Sequence, residues 1–119
     1  MVKTQNSKQY DLEERTFVFA KRVRDYVAKI PKTITNIEFS RQLIRSAGSV
    51  GANYIEANES LGKKDFLMKI KISRKEAKES RYWLKLAEAR RDQDKEKESL
   101  IKESTELMNI FGSILNKSQ

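Results

Sequence analysis

The chain has 119 residues, a length typical of one domain, and its 25 Lys and Arg residues outnumber its 17 Asp and Glu residues, which gives a formal charge of +8. It contains neither Cys nor His, which excludes disulfides, thiolate or imidazole metal sites and the catalytic arrangements that need those residues. We therefore expect a protein that is not an enzyme and that needs no cofactor.

The apolar content is sufficient for a packed core but not for a membrane span. Leu, Ile, Val and Phe make up about a quarter of the residues, above the level at which charged chains stay disordered. The uncharged run over residues 46–55 is about half a membrane span, and no other run is longer. The N-terminus lacks the apolar stretch of a signal peptide. We expect a soluble, cytoplasmic protein that does not contact membranes.

The spacing of the apolar residues is helical throughout the chain. Only four Gly and one Pro occur, too few for the turns of an all-β domain, and strand-type alternation is missing. Residues 1–10 are polar and without periodicity, so we expect a flexible N-terminal arm there. Residues 11–117 are predicted to form one helical domain.

The first helix is predicted to begin near Asp11, a good N-cap residue, and to end at Ile30, because Pro31 disfavours helical backbone in the residue before it. Its apolar residues step by seven, four, three and four positions, which places them on one face. They are Leu12, Phe19, Val23, Tyr26 and Ile30.

The second helix is predicted to start with Asn36 as its cap and to end at Leu61, with Gly62 as a left-handed C-cap. Gly48 and Gly51 lie inside this helix, where each costs roughly 1 kcal/mol relative to Ala. We therefore predict that a neighbouring backbone approaches both glycines closely. The apolar stripe comprises Leu43, Ala47, Val50, Tyr54 and Ala57.

The third and fourth helices complete the predicted fold. The third runs from Lys63 or Lys64 to about Arg90, and the fourth follows a boundary at residues 91–94. Four helices with short connections predict an all-α, antiparallel up-and-down four-helix bundle. The third stripe comprises Phe66, Ile70, Ala77, Leu84 and Ala87. The fourth comprises Leu100/Ile101, Leu107/Met108, Phe111 and Ile114/Leu115.

A second apolar arc on the third helix predicts a homo-oligomer. Ile72, Trp83 and Leu86 lie roughly 100 to 160° away from the core stripe, so one bundle core cannot easily bury both. A shared arc of this kind is typical of a subunit interface. Glu76 and Glu79 flank it and could pair with basic residues of a neighbour. The alternative is that Trp83 only covers the rim of its own bundle.

The excess positive charge is concentrated in residues 63–91, where eleven basic and four acidic residues give a net +7. Six of the basic residues share an arc of about 120° and form a continuous ridge. Such a ridge can neutralise phosphates of RNA or DNA with little sequence preference, and RNA is our first expectation. These residues are Lys71, Arg74, Lys75, Lys78, Arg81 and Lys85.

Other interpretations of the charge stay open. The ridge has no exposed aromatic residues between its basic residues, so it could be no more than a solvated face that aids solubility. It could also make the protein a structural scaffold for an acidic protein partner, without any physiological nucleic acid. A metal site built only from carboxylates, with Glu56 or Glu59, is a further alternative.

Two motifs carry a family resemblance. The second helix contains S-V-x-A-N-x-x-E at residues 49–56, with Gly51 where relatives often carry Pro, and the third contains E-x-x-E-S-x-x-W-L at residues 76–84. The sequence resembles the small bundle proteins encoded by intervening sequences of bacterial 23S ribosomal RNA genes. It is also similar to accessory proteins of diversity-generating retroelements, which join a reverse transcriptase and nucleic acid through a basic barrel surface.

This resemblance extends from about residue 11 to the end of the fourth helix. It implies a four-helix subunit and a ring-like homo-oligomer, a pentamer. No catalytic residues come with the family, and its cellular role is poorly defined. The assignment of the third helix's basic residues follows from their charge and spacing and not from the resemblance.

Overall fold

The computed structural model describes residues 8–118, and their side chains from residue 12 onward. The predicted arm therefore lies mostly outside the described residues. Helix α1 starts before Asp11, so residues 8–10 belong to the helix and not to the arm. The elements are α1 (Lys8–Lys29), α2 (Ile34–Asn58), α3 (Lys63–Leu86), a short 3-10 turn (Arg91–Gln93) and α4 (Asp94–Ser118).

Neighbouring helices run antiparallel, as cross-helix contacts demonstrate. Arg15 of α1 pairs with Glu103 of α4, whereas Arg22, further along α1, pairs with the earlier Glu96.

Helices α2 and α3 are antiparallel by the same criterion. The hydroxyls of Ser46 and Ser80 lie 2.9 Å apart, whereas the earlier Ser73 of α3 donates a hydrogen bond to the carbonyl of the later Val50 of α2. Each helix packs against the next, and α1 also packs against α4. The predicted up-and-down four-helix bundle is confirmed.

The core consists of the predicted apolar stripes. Phe66, Ile101, Met108 and Ile114 pack against it while half-buried. Because every helix contributes a stripe at the expected spacing, the predicted core positions are confirmed. The buried apolar residues are Leu12, Phe19, Val23, Tyr26, Ile30, Leu43, Ala47, Val50, Tyr54, Ala57, Ile70, Ala77, Leu84, Ala87, Leu100, Leu107, Phe111 and Leu115.

Asn36 does not cap α2 and instead joins two loops. Thr33 is the N-cap, and its hydroxyl accepts a hydrogen bond from the Asn36 backbone N–H at 3.1 Å. The buried Asn36 amide donates to the carbonyls of Pro31 and Glu88 and accepts from the Glu88 N–H, over 2.8 to 2.9 Å. The predicted cap was wrong because a contact 52 residues away in sequence determines the role of this side chain.

The other helix ends also differ from the prediction. Helix α2 ends at Asn58 and not at Leu61, and Gly62 has a φ of −142°, which is extended and not left-handed. Gly62 is the N-cap of α3. Helix α3 ends at Leu86 and not near Arg90, because the chain turns extended at its C-cap residue before the 3-10 turn begins.

The two glycines inside α2 have different surroundings. A β-carbon built at Gly51 would lie 2.9 Å from the Thr16 hydroxyl oxygen, so α1 approaches α2 closely at this point. At Gly48 the same construction meets nothing within 4 Å. A close neighbour is therefore present at Gly51, although it is a side chain and the Thr16 backbone carbon is 3.8 Å away, whereas the prediction is wrong for Gly48, which lies on the exposed side of the helix.

Candidate nucleic-acid interface

Helix α3 carries the four lysines among the six predicted basic residues on the side that faces away from the core. Lys71, Lys75, Lys78 and Lys85 are exposed, as is Arg74. Ile70, Ser73, Ala77, Ser80 and Leu84 occupy the buried side of the same helix. The four lysines therefore point to solvent because the helix period places them opposite the stripe that packs into the bundle.

The two arginines of the ridge lean toward α4. Arg81 is half-buried and donates a hydrogen bond to the Thr105 hydroxyl at 3.2 Å. Arg74 Nε would lie 3.7 Å from a β-carbon at Gly112, so its side chain lies beside α4. The ridge therefore extends from the outer side of α3 to its groove with α4.

None of the six basic residues forms an ion pair with any carboxylate in the part of the chain that the structure describes. The acidic residues of α3 point elsewhere, because Glu76 and Glu79 both pair with Arg45 of α2, at 3.7 and 3.3 Å. These two glutamates were expected to pair with basic residues of a neighbouring subunit, and both instead form ion pairs within their own bundle. The positive charge of the ridge is left uncompensated.

An aromatic residue lies among the lysines, contrary to the sequence prediction. Tyr82 is 57% exposed and lies four residues after Lys78 and three before Lys85. Residues at these spacings are neighbours on a helix surface. A stripe at alternating steps of four and three runs through Lys64, Met68, Lys71, Lys75, Lys78, Tyr82 and Lys85, all exposed. We call these seven residues the outer stripe. The spacing alone could have identified Lys64 and Tyr82.

The predicted interface residues have unequal exposure. Ile72 and Trp83 are half-buried, whereas Leu86 is 38% exposed. The Trp83 ring stacks on Phe39 of α2 with a centroid distance of 6.0 Å, and it forms an edge-to-face contact with Tyr82 at a centroid distance of 5.0 Å. The indole thus packs within its own subunit, as expected if Trp83 covers the rim of its own bundle.

The two carboxylates considered for a metal site, Glu56 and Glu59, line one open groove together with Asp65 and Lys69. Glu56 accepts a hydrogen bond from Lys69 Nζ at 2.7 Å, and this bond raises the pKa of the lysine. Among the described residues no group of three or more acidic side chains could hold a metal ion.

The described residues define a small all-α protein, a single up-and-down bundle with a basic outer face on one helix. The chain belongs to the 23S rRNA-intervening sequence protein family, whose model matches residues 8–113. The motifs at residues 49–56 and 76–84 had indicated this family, and the prediction is confirmed. None of the described helices is both long and apolar enough to cross a membrane.

A solved structure with the same fold comes from Bacteroides thetaiotaomicron VPI-5482. It is described as a protein with unknown function from the S23 ribosomal protein family. The two chains are 31% identical with a TM-score of 0.75, over 92% of this chain and 99% of the other. Among curated proteins, none matches this chain. The relatives therefore establish the family and the fold, and neither description names an enzymatic activity.

Proposed function

We propose that this protein is a non-enzymatic nucleic-acid-binding module that binds RNA through the outer side of α3. The observation that carries the proposal is the uncompensated charge of Lys71, Arg74, Lys75, Lys78, Arg81 and Lys85 in the described chain. Phosphates brought to such a face displace condensed counterions, which supplies affinity without sequence-specific contacts. The electrostatics thus favour a polyanion.

RNA is the polyanion to test first. The family description refers to 23S ribosomal RNA, and the similar structure is assigned to a ribosomal protein family. Both descriptions support RNA over DNA as the ligand.

The experiment is a fluorescence anisotropy titration of the wild-type protein with a 23S ribosomal RNA fragment, a DNA duplex and polyglutamate over a range of salt concentrations. Six phosphate contacts would give log K a slope of about −5 against log salt on a duplex. We expect RNA to bind with a slope of this order and polyglutamate to bind more weakly. Tighter binding of polyglutamate than of any nucleic acid would contradict the proposal and favour a scaffold for an acidic protein.

We further propose that the subunits form a homo-oligomer, a pentamer as the family resemblance implies, through Ile72, Trp83 and Leu86. The exposure of Leu86 supports this surface, and a ring would repeat the basic ridge on every subunit. We expect Trp83→Ala and Leu86→Asp to lower the particle mass in light scattering while helicity persists.

The matched control for the interface is Ile44→Asp. Ile44 lies on α2 and is exposed to a similar extent, so this variant introduces the same charge into a different apolar surface. We expect its mass to equal that of the wild type. A mass that falls with Ile44→Asp and stays unchanged with Leu86→Asp would place the interface on α2 and contradict the assignment to α3.

A further inference from the structure

Tyr82 lies where a ligand of the basic ridge would meet it. Within the outer stripe it is the one aromatic residue, with Lys78 one turn before it and Lys85 one turn after it. Both lysines are exposed and lack a carboxylate partner among the described residues. A phosphodiester chain that pairs with these two lysines therefore passes across the tyrosine ring.

The ring is supported on one side and open on the other. It forms an edge-to-face contact with Trp83, with a centroid distance of 5.0 Å and an interplanar angle of 73°. Trp83 stacks in turn on Phe39, with an interplanar angle of 27°. Three aromatic side chains from α2 and α3 thus form a row that ends at Tyr82, and this row restricts the rotation of the last ring.

Nothing within the described residues uses the outer part of this side chain. Tyr82 is 57% exposed, and no hydrogen bond to its hydroxyl exists in residues 8–118. An exposed tyrosine held by other rings and flanked by cations has the composition of a stacking platform for nucleic-acid bases. Its role in folding is small, because most of its surface stays in water.

We propose that Tyr82 stacks on an unpaired base, so that the ridge selects single-stranded RNA, or looped segments of a folded RNA, over continuous duplex. This inference rests on the proposed function and specifies its ligand. A duplex presents phosphates to the lysines but keeps the faces of its bases inside the helical stack. A single strand can place a base on Tyr82 while its flanking phosphates pair with Lys78 and Lys85.

The test uses three probes that share negative charge but differ in accessible bases. They are a labelled RNA strand that cannot pair with itself, the duplex of that strand with its complement, and inorganic polyphosphate as a competitor without bases. We expect the wild type to bind the single strand more tightly than the duplex. Tyr82→Ala should weaken single-strand binding about tenfold and leave duplex binding and polyphosphate competition unchanged.

Two further substitutions and one control separate stacking from other roles of the side chain. Tyr82→Phe keeps the ring and should bind the single strand like the wild type, whereas Tyr82→Leu keeps an apolar side chain without a ring and should resemble Tyr82→Ala. Phe17 of α1 is also 57% exposed, so Phe17→Ala removes an equally exposed ring elsewhere and should change nothing. Circular dichroism of each variant reports its helicity.

The outcomes separate this inference from the proposed function. If the wild type binds none of the three probes, the proposed function fails and the stacking role fails with it. If the wild type binds RNA and Tyr82→Ala binds the single strand equally well, only the stacking role is contradicted. An equal loss on all three probes would also contradict it, since the ring would then act by shaping the basic face and not by contacting a base.

Discussion

Two basic regions of this bundle differ in whether their positive charges are paired with carboxylates. Where α1 packs on α4, Arg15 contacts Glu103 at 2.7 Å and Glu106 at 2.6 Å, and Arg22 contacts Glu96 at 3.2 Å. We call this region the α1–α4 seam. On the outer side of α3, by contrast, none of the six ridge cations has a carboxylate partner in residues 8–118.

The difference shows that positive charge identifies a surface only after the helices are packed. Residues 1–36 carry a net +4, which by sequence alone is also a basic region. Much of this charge is cancelled in space by acidic residues of α4, and hydrogen bonding to Glu103 raises the pKa of the Arg15 guanidinium further above its usual value. The seam is thus a structural feature, whereas the ridge keeps its charge available for a ligand.

The largest effect on RNA affinity is expected when the charge of three ridge lysines is reversed. Lys71→Glu/Lys75→Glu/Lys78→Glu should weaken RNA binding by about 100-fold near physiological salt and reduce the salt slope by about 3, because each lysine accounts for about one phosphate contact. The measurement is an anisotropy titration at several salt concentrations. Thermal unfolding should change little, because all three side chains are exposed.

The control for the ridge is a second triple variant with the same change in net charge. Lys21, Lys29 and Lys102 are exposed, lie on α1 and α4, and form no ion pair among the described residues. Their reversal to Glu should weaken RNA binding far less than reversal of the ridge. Equal losses in the two triple variants would mean that overall charge, and not the outer side of α3, determines the affinity.

At the α1–α4 seam we expect the opposite pattern, a loss of stability without a loss of RNA affinity. Arg15→Ala removes the partner of Glu103, whose side chain is only 17% exposed, so a partly buried carboxylate loses its hydrogen bonds. We expect a loss of about 1 to 3 kcal/mol in the free energy of unfolding, measured by urea denaturation. RNA affinity should stay within about twofold of the wild type.

An exposed ion pair on the same helix provides the comparison for Arg15→Ala. Arg24 contacts the adjacent Asp25 at 3.0 Å, and both side chains are mostly in water. Arg24→Ala should therefore cost less than about 0.5 kcal/mol. If the two substitutions destabilised the protein equally, the seam would contribute no more than ordinary surface charge does.

Much of the fold could be predicted because helical periodicity is a local property of the sequence. The positions of Leu43, Val50 and Tyr54 on one face depend only on their spacing, and all three are buried. The helix ends could not be predicted in the same way. Asn36 has the chemistry of a cap, but the backbone of Glu88 becomes its partner only when the two loops meet.

The candidate site was predictable in part for the same reason. The spacing of the lysines places them on one side of α3, and the structure brings them together there. Glu76 and Glu79 pair with Arg45 and leave the lysines unpaired. This pairing depends on which helices are neighbours and therefore on tertiary structure. Tyr82 was missed although its spacing matches the outer stripe.

The smallest effect that we predict is on the pH dependence of stability. It concerns Tyr26, which is buried beside α4 at the end of the seam. Burial raises the pKa of Tyr26 to about 12, and the negative charges of Asp94 and Glu96 contribute further. Its hydroxyl is buried without a hydrogen-bond partner among the described residues. The seam therefore disfavours the tyrosinate, whereas the unfolded chain ionises this group near pH 10.

A raised tyrosine pKa makes the protein less stable as the pH rises, because above pH 10 the unfolded state loses a proton that the folded state keeps. The loss attributable to Tyr26 should be on the order of 1 kcal/mol at pH 11 and absent at pH 8. Tyr26→Phe should remove this part of the alkaline destabilisation without lowering the stability at pH 8, since no hydrogen bond is lost. Urea denaturation of both proteins at pH 8 and pH 11 provides the measurement, and parallel losses in both would show that the seam exerts no such effect on Tyr26.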